Sequence, residues 1–190
     1  YADMSNRVVE TLRGFSPDME VYSIDESFLD VTGFARYPGL EKHGRAIRER
    51  VAEWTGLAVC VGFGTSKTLA KLANHCAKKG LAGADGVCDL TSLDEAALGR
   101  LLGSISVGET WGIGRKLAPK LEAIGVSTVA DLRNADPAAI RARFSVVLER
   151  TVLELRGTSC LSLEEMAPDK QQIMVSRSFG TKVHSIAVLA

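Results

Sequence analysis

Apolar and polar positions follow two different rhythms in the two halves of this 190-residue chain. In the first half, short runs rich in β-branched and aromatic residues, at 21–24 and 28–31, flank an acidic turn and predict a β-hairpin. Leu40, Ile47, Val51 and Trp54 then recur at helical spacing, and Thr55-Gly56 closes that helix. The apolar run Leu57 to Val61 is a candidate buried strand. A second helix over about 66–79 and a short strand near Gly86 to Leu90 complete a ββαβαβ order, which predicts a sheet with helices packed on it.

From Ser92 onward the strand signals stop, and short helical segments predict a small all-helical region. Its boundaries are Gly112-Ile113-Gly114, Gly125, Asp136-Pro137 and Gly157, with Asp136 as a cap, Pro137 in the first helical position and Gly157 at a helix C-terminus. The polar stretch 162–172, containing Pro168, reads as a linker, and β character resumes at 173–183. The expected class is therefore α+β, divided into 1–90, 91–160 and 161–190.

Composition narrows the class without naming a function. Hydrophobic residues make up 46% and charged residues 24%, as in ordinary folded chains. No run approaches the roughly 18 apolar residues that a membrane span needs, and the start lacks a basic-then-apolar secretion pattern, so a cytoplasmic location is expected. The chain opens at Tyr1 inside a predicted helix and stops in the apolar run 186–190, so both ends are expected to be cuts. Cys60, Cys76, Cys88 and Cys160 lie far apart with no C-x-x-C pair, which excludes a zinc knuckle pattern and predicts reduced, mostly buried thiols. With 23 basic and 23 acidic residues, any attraction to an anionic partner must come from clustering.

Three clusters carry chemistry. The first is Tyr22-Ser23-Ile24-Asp25-Glu26-Ser27-Phe28. Neighbouring strand residues point to opposite faces, so Asp25 and Glu26 converge only if they sit at the bend of the hairpin, where paired carboxylates suit a hard divalent cation such as Mg²⁺. A solvated acidic turn has the same sequence. The second is Val61-Gly62-Phe63-Gly64-Thr65-Ser66 followed by a helix that places Lys67, Lys71, Asn74 and Lys78 on one face and Leu69, Leu72, Ala73 and Cys76 on the other. A lysine stripe entered through a glycine-rich turn is a candidate phosphate site, as is an ordinary amphipathic helix with a solvated basic face. Ser66 stands where a nucleotide P-loop requires Gly, so that motif is excluded.

The third cluster is Trp111-Gly112-Ile113-Gly114-Arg115-Lys116 with Lys120 and Gly125 downstream, which resembles a helix-hairpin-helix module. Glycines admit a phosphate close to the main chain, and Arg115, Lys116 and Lys120 add screened attraction. Pro119 is the misfit: inside a helix it costs about 3 kcal/mol unless the helix begins late.

The order Y-S-I-D-E-S-F, V-G-F-G-T-S-K-T-L-A-K-L-A, W-G-I-G and S-R-S-F-G resembles the Y-family translesion DNA polymerases, and the flanking stretches 1–8 and 146–157 resemble the UmuC branch, the ImpB/MucB/SamB group. That resemblance implies that 1–90 is a partial polymerase palm, 91–160 a helical thumb with the helix-hairpin-helix, and 161–190 a linker and the start of a little finger. It implies two Mg²⁺ ions held with the help of Asp25 and Glu26, a triphosphate contact at Lys78, backbone contacts at Gly112, Ile113, Gly114, Arg115 and Lys116, and template contacts at Arg177 and Ser178. Primer-template DNA, deoxynucleoside triphosphates, processed UmuD′, RecA and the sliding clamp are the implied partners, in DNA repair and the SOS response. Such polymerases begin well upstream, with another metal-binding Asp and the fingers, so this stretch alone is expected not to extend a primer. A non-catalytic DNA-binding module built on the glycine hairpin is the competing class.

Overall fold

The computed structural model describes residues 1–33 and 39–163. Helix α1, Ala2–Arg13, packs on α2, Leu40–Thr55, whose buried stripe is Gly44, Ile47 and Val51. Between them Met19–Val21, β1, pairs antiparallel with Ser27–Leu29, β2. Val61–Phe63, β3, leads into α3, Lys67–Lys79, and pairs in parallel with β4, Val87–Asp89.

The mixed helix-and-sheet class expected from the sequence is what the chain adopts. The single sheet is not: among the described residues the strands form two separate two-stranded ladders, β1–β2 and β3–β4. Their shortness has local causes. The hairpin turn closes early, with the Tyr22 and Ser23 N–H groups both donating to the Glu26 carbonyl at 3.0 Å. The Leu57 to Cys60 run stays outside the ladder, its carbonyls taken instead by Arg48, which bonds Val59 at 2.6 Å, and Asn74, which bonds Cys60 at 2.8 Å.

Helix α3 lies directly on β3. A Cβ on Gly62 would sit 2.2 Å from the Asn74 nitrogen, and one on Gly64 would sit 2.5 Å from the Ala70 nitrogen. These two glycines permit backbone-to-backbone contact between strand and helix, a packing role rather than a phosphate cradle.

The second half is helical: α4 (Glu95–Gly103), α5 (Ala118–Glu122), α6 (Val129–Asn134), α7 (Pro137–Arg143) and α8 (Val146–Leu155). Side-chain caps begin most of them, from Asp94, Thr128, Asp136 and Ser145. Their apolar faces merge with that of α3 into one buried cluster running from Leu69 to Leu155. At roughly 1.5–3 kcal/mol per fully buried aliphatic side chain, this cluster is the main source of stability. No helix among the described residues is long and apolar enough to cross a membrane.

Candidate active site and nucleic-acid interface

Asp25 and Glu26 sit in the turn between β1 and β2, and this turn faces α3. Glu26 is ion-paired with Lys71 of α3, and one turn earlier Lys67 is ion-paired with Glu20 of β1. Asp25 is exposed and accepts the Ser23 hydroxyl at 2.7 Å. The turn and the lysine helix, 45 residues apart in sequence, are thus brought together. Among the described residues no cluster of three or more His, Cys, Asp or Glu side chains is placed to hold a metal ion, so this turn offers two carboxylates.

An aromatic group joins the glycine turn to this site. The Trp111 ring lies 5.3 Å from Tyr22 and 5.8 Å from Phe28, and the Tyr22 and Phe28 rings stand 5.9 Å apart. Lysines line the same group: Lys67 Nζ is 5.1 Å from the Phe28 centroid, and Lys71 Nζ is 5.9 Å from Trp111 and 6.0 Å from Tyr22. Cation–π attraction of this kind adds to the hold that Glu20 and Glu26 have on the two ammonium groups.

The lysine stripe does not act as one unit. Lys67 also donates to the Ser162 carbonyl at 2.7 Å, and Asn74 serves the Cys60 carbonyl. Lys78, the expected triphosphate contact, is exposed and has no hydrogen-bond or ion-pair partner among the described residues. Two donors at the start of α3 are engaged as well. The Leu69 N–H bonds the Ser66 hydroxyl at 3.2 Å, and the Thr68 N–H bonds Glu154 at 2.9 Å. Lys67, Lys71 and Glu20 therefore neutralise charge inside the protein, and Glu20 is a site-forming residue that the sequence reading missed. Its position, one strand residue before an apolar one, carried no signal.

Downstream, a single 3₁₀ turn at Val107–Glu109 precedes the glycine turn. Gly112 has φ +85°, the left-handed region that favours glycine, and Gly114, Arg115 and Lys116 are exposed. Ile113 is buried and anchors the turn, its N–H bonding the Thr110 carbonyl at 2.9 Å. Pro119 falls in the first turn of α5, where its missing N–H has no helical partner to lose, so the expected penalty does not arise. Beside α5 lies a groove of ≈ 450 Å³ with Lys120 and Arg143 on its walls. Arg177 and Ser178 lie outside the described residues.

Comparison with known proteins places these features in a family. Residues 1–75 match the model of the impB/mucB/samB family. UmuC of Salmonella typhimurium is 52% identical over 183 residues, 96% of this chain and 43% of UmuC. DNA polymerase IV of Moorella thermoacetica is 34% identical over 148 residues, 77% of this chain and 35% of that protein. The insertion ternary complex of Dbh DNA polymerase has the same fold, with a TM-score of 0.65 at 24% identity, across 84% of this chain and 45% of that one. The chain spans less than half the length of each of these proteins. With the family model matched over residues 1–75 and the identity to UmuC continuing through 96% of the chain, this chain belongs to the impB/mucB/samB family.

Proposed function

We propose that this chain is part of a Y-family DNA polymerase that carries out template-directed nucleotidyl transfer across damaged DNA, in the cytoplasm, as part of DNA repair and the SOS response. The observation that carries the proposal is the seating of the Asp25–Glu26 turn against α3, beside Trp111 and the glycine turn. A polymerase needs an acidic centre, cations for phosphates and a grip on the duplex, and in this reading the carboxylate turn, the exposed Lys78 of α3 and the glycine turn supply them. In this reading residues 1–90 are palm, 91–160 are a thumb with a helix-hairpin-helix, and 161–190 lead into the little finger.

The carboxylates fit hard divalent cations. Both are oxygen donors in one turn; among the described residues Asp25 is engaged only by the Ser23 hydroxyl and is open to solvent, and Glu26 is held by a single lysine. Magnesium bound there would supply charge neutralisation and activation of the primer hydroxyl for in-line phosphoryl transfer. Asp25 and Glu26 hold and orient; Lys78 meets the triphosphate; Gly112, Ile113 and Gly114 admit the DNA backbone while Arg115 and Lys116 attract it. Arg177 and Ser178 contact template phosphates. UmuD′, RecA and the sliding clamp are the proposed protein partners.

The test uses the whole polymerase. Asp25→Asn and Glu26→Gln each abolish primer extension with Mg²⁺ while primer-template binding is retained. Synthesis at the unaltered rate in both variants overturns the assignment of Asp25 and Glu26 to catalysis.

A further inference from the structure

Glu154 lies in the last turn of α8, wholly buried. A carboxylate out of water costs several kcal/mol unless hydrogen bonds replace its hydration. Among the described residues no cation pairs with it. Its oxygens accept three backbone N–H groups instead: Oε2 takes that of Thr68 at 2.9 Å, and Oε1 takes those of Cys160 at 2.6 Å and Leu161 at 3.1 Å. The Ser66 hydroxyl also donates to the Glu154 carbonyl at 2.8 Å. Thr68 is in the first turn of the 13-residue α3, where the helix dipole favours an anion.

All three side-chain partners are donors, and only an acceptor-only group satisfies them together. A glutamine in the same place turns an NH₂ toward at least one N–H. The contact also reaches further. A Cβ on Gly157 would stand 3.0 Å from the Thr65 hydroxyl, so the end of α8 closes directly onto the turn before α3. Beyond Leu161, the Ser162 carbonyl accepts from Lys67, whose other partner is Glu20 of the hairpin.

We infer that Glu154 is a positioning residue, a buried anionic latch that fastens residues 158–162 to the first turn of α3. It thereby sets both the place of Lys67 and the point from which the chain departs toward Arg177 and Ser178. The latch is independent of the polymerase assignment; its consequence for DNA rests on that assignment.

The test is Glu154→Gln, with cysteine modification read residue by residue. In the unaltered chain the Cys160 thiol, half-buried and donating to the Thr158 carbonyl at 3.6 Å, reacts faster than the buried Cys76 and Cys88; in the variant it reacts several-fold faster still, while Cys76 and Cys88 stay protected, because opening is local. An unchanged Cys160 rate overturns the latch. Equal acceleration at Cys76 and Cys88 also overturns it, since the residue then only supports the core. Should the variant fail to fold, hydrogen exchange on the unaltered chain decides: the Cys160 and Leu161 amides exchange as slowly as those inside α8, and fast exchange refutes the inference. In the whole polymerase, Glu154→Gln weakens primer-template binding roughly tenfold, and Arg177→Ala adds little on top; fully additive losses refute the positioning role. The thiol and exchange readouts involve no DNA, so their failure leaves the polymerase assignment standing, and the reverse also holds.

Discussion

Leu102, Leu121, Val129, Leu132, Val152 and Leu155 of the helical region expose essentially none of their surface, whereas Val21, Tyr22 and Ile24 around the carboxylate turn are 45%, 48% and 59% exposed. The first region is held by apolar burial, which is non-directional and is not weakened by ionic screening. The second is held by two lysine–glutamate pairs and an aromatic group. The difference is informative because a site that exchanges charged ligands has to be assembled from interactions that can be re-partnered. A packed apolar cluster cannot do that, but it can hold the lysine helix still, since one face of α3 belongs to that cluster.

The largest effect that can break this contrast is in the cluster. Leu132→Ala removes a wholly buried side chain and costs about 2–5 kcal/mol in denaturant unfolding, transfer and cavity costs combined. Ile24→Ala beside the carboxylate turn stays within about 0.5 kcal/mol. Comparable losses at the two positions would mean that the turn is packed as tightly as the bundle, and the distinction would fall.

Intermediate in size is the Lys71–Glu26 pair, whose side chains are 21% and 40% exposed. A double-mutant cycle with Lys71→Met and Glu26→Gln gives a coupling of about 0.2–1 kcal/mol that shrinks as salt is raised. A coupling that survived high salt undiminished would show the pair to be sealed from solvent, and Glu26 would then be poorly placed to take a metal ion.

The parts of the molecule legible in the sequence are those governed by neighbours along the chain. The amphipathic run over about 66–79 marked α3, and Asp136-Pro137 marked α7, because a helical face or a cap is set by near neighbours in the chain. The Asp25–Glu26 bend was legible for the same reason. What stayed hidden depends on distant partners. Gly62 and Gly64 looked like the entry to a phosphate site, but the backbone they admit is that of the following helix. Glu154 sits in Val152-Leu153-Glu154-Leu155, an ordinary helical stretch, and its partner at Thr68 is 86 residues away, so no spacing rule announces it. Lys67 and Lys71 look free on a helical wheel, and only the fold brings Glu20 and Glu26 to meet them.

The smallest effect concerns the helical region's own charges. Asp131 forms a capping box with Thr128 at the start of α6, accepting the Thr128 N–H at 2.8 Å and the Ser127 N–H at 3.1 Å. Hydrogen bonding from Thr128 holds its carboxyl below the usual range. A folded-state pKa below the unfolded one means that the carboxylate stabilises the fold above the unfolded pKa of about 3.9, and that this contribution is lost as pH falls through the folded value. Asp131→Asn therefore costs a few tenths of a kcal/mol at neutral pH, and the difference from the unaltered chain closes in acid. Glu95, lowered by its hydrogen bond with Arg133, titrates in the same direction but is common to both proteins, so it cancels in the comparison. Thermal unfolding of the two proteins between neutral pH and pH of about 2 is the measurement. A gap that stays constant across that range would show that the cap works through shape alone, and the helical region would then owe nothing measurable to this charge.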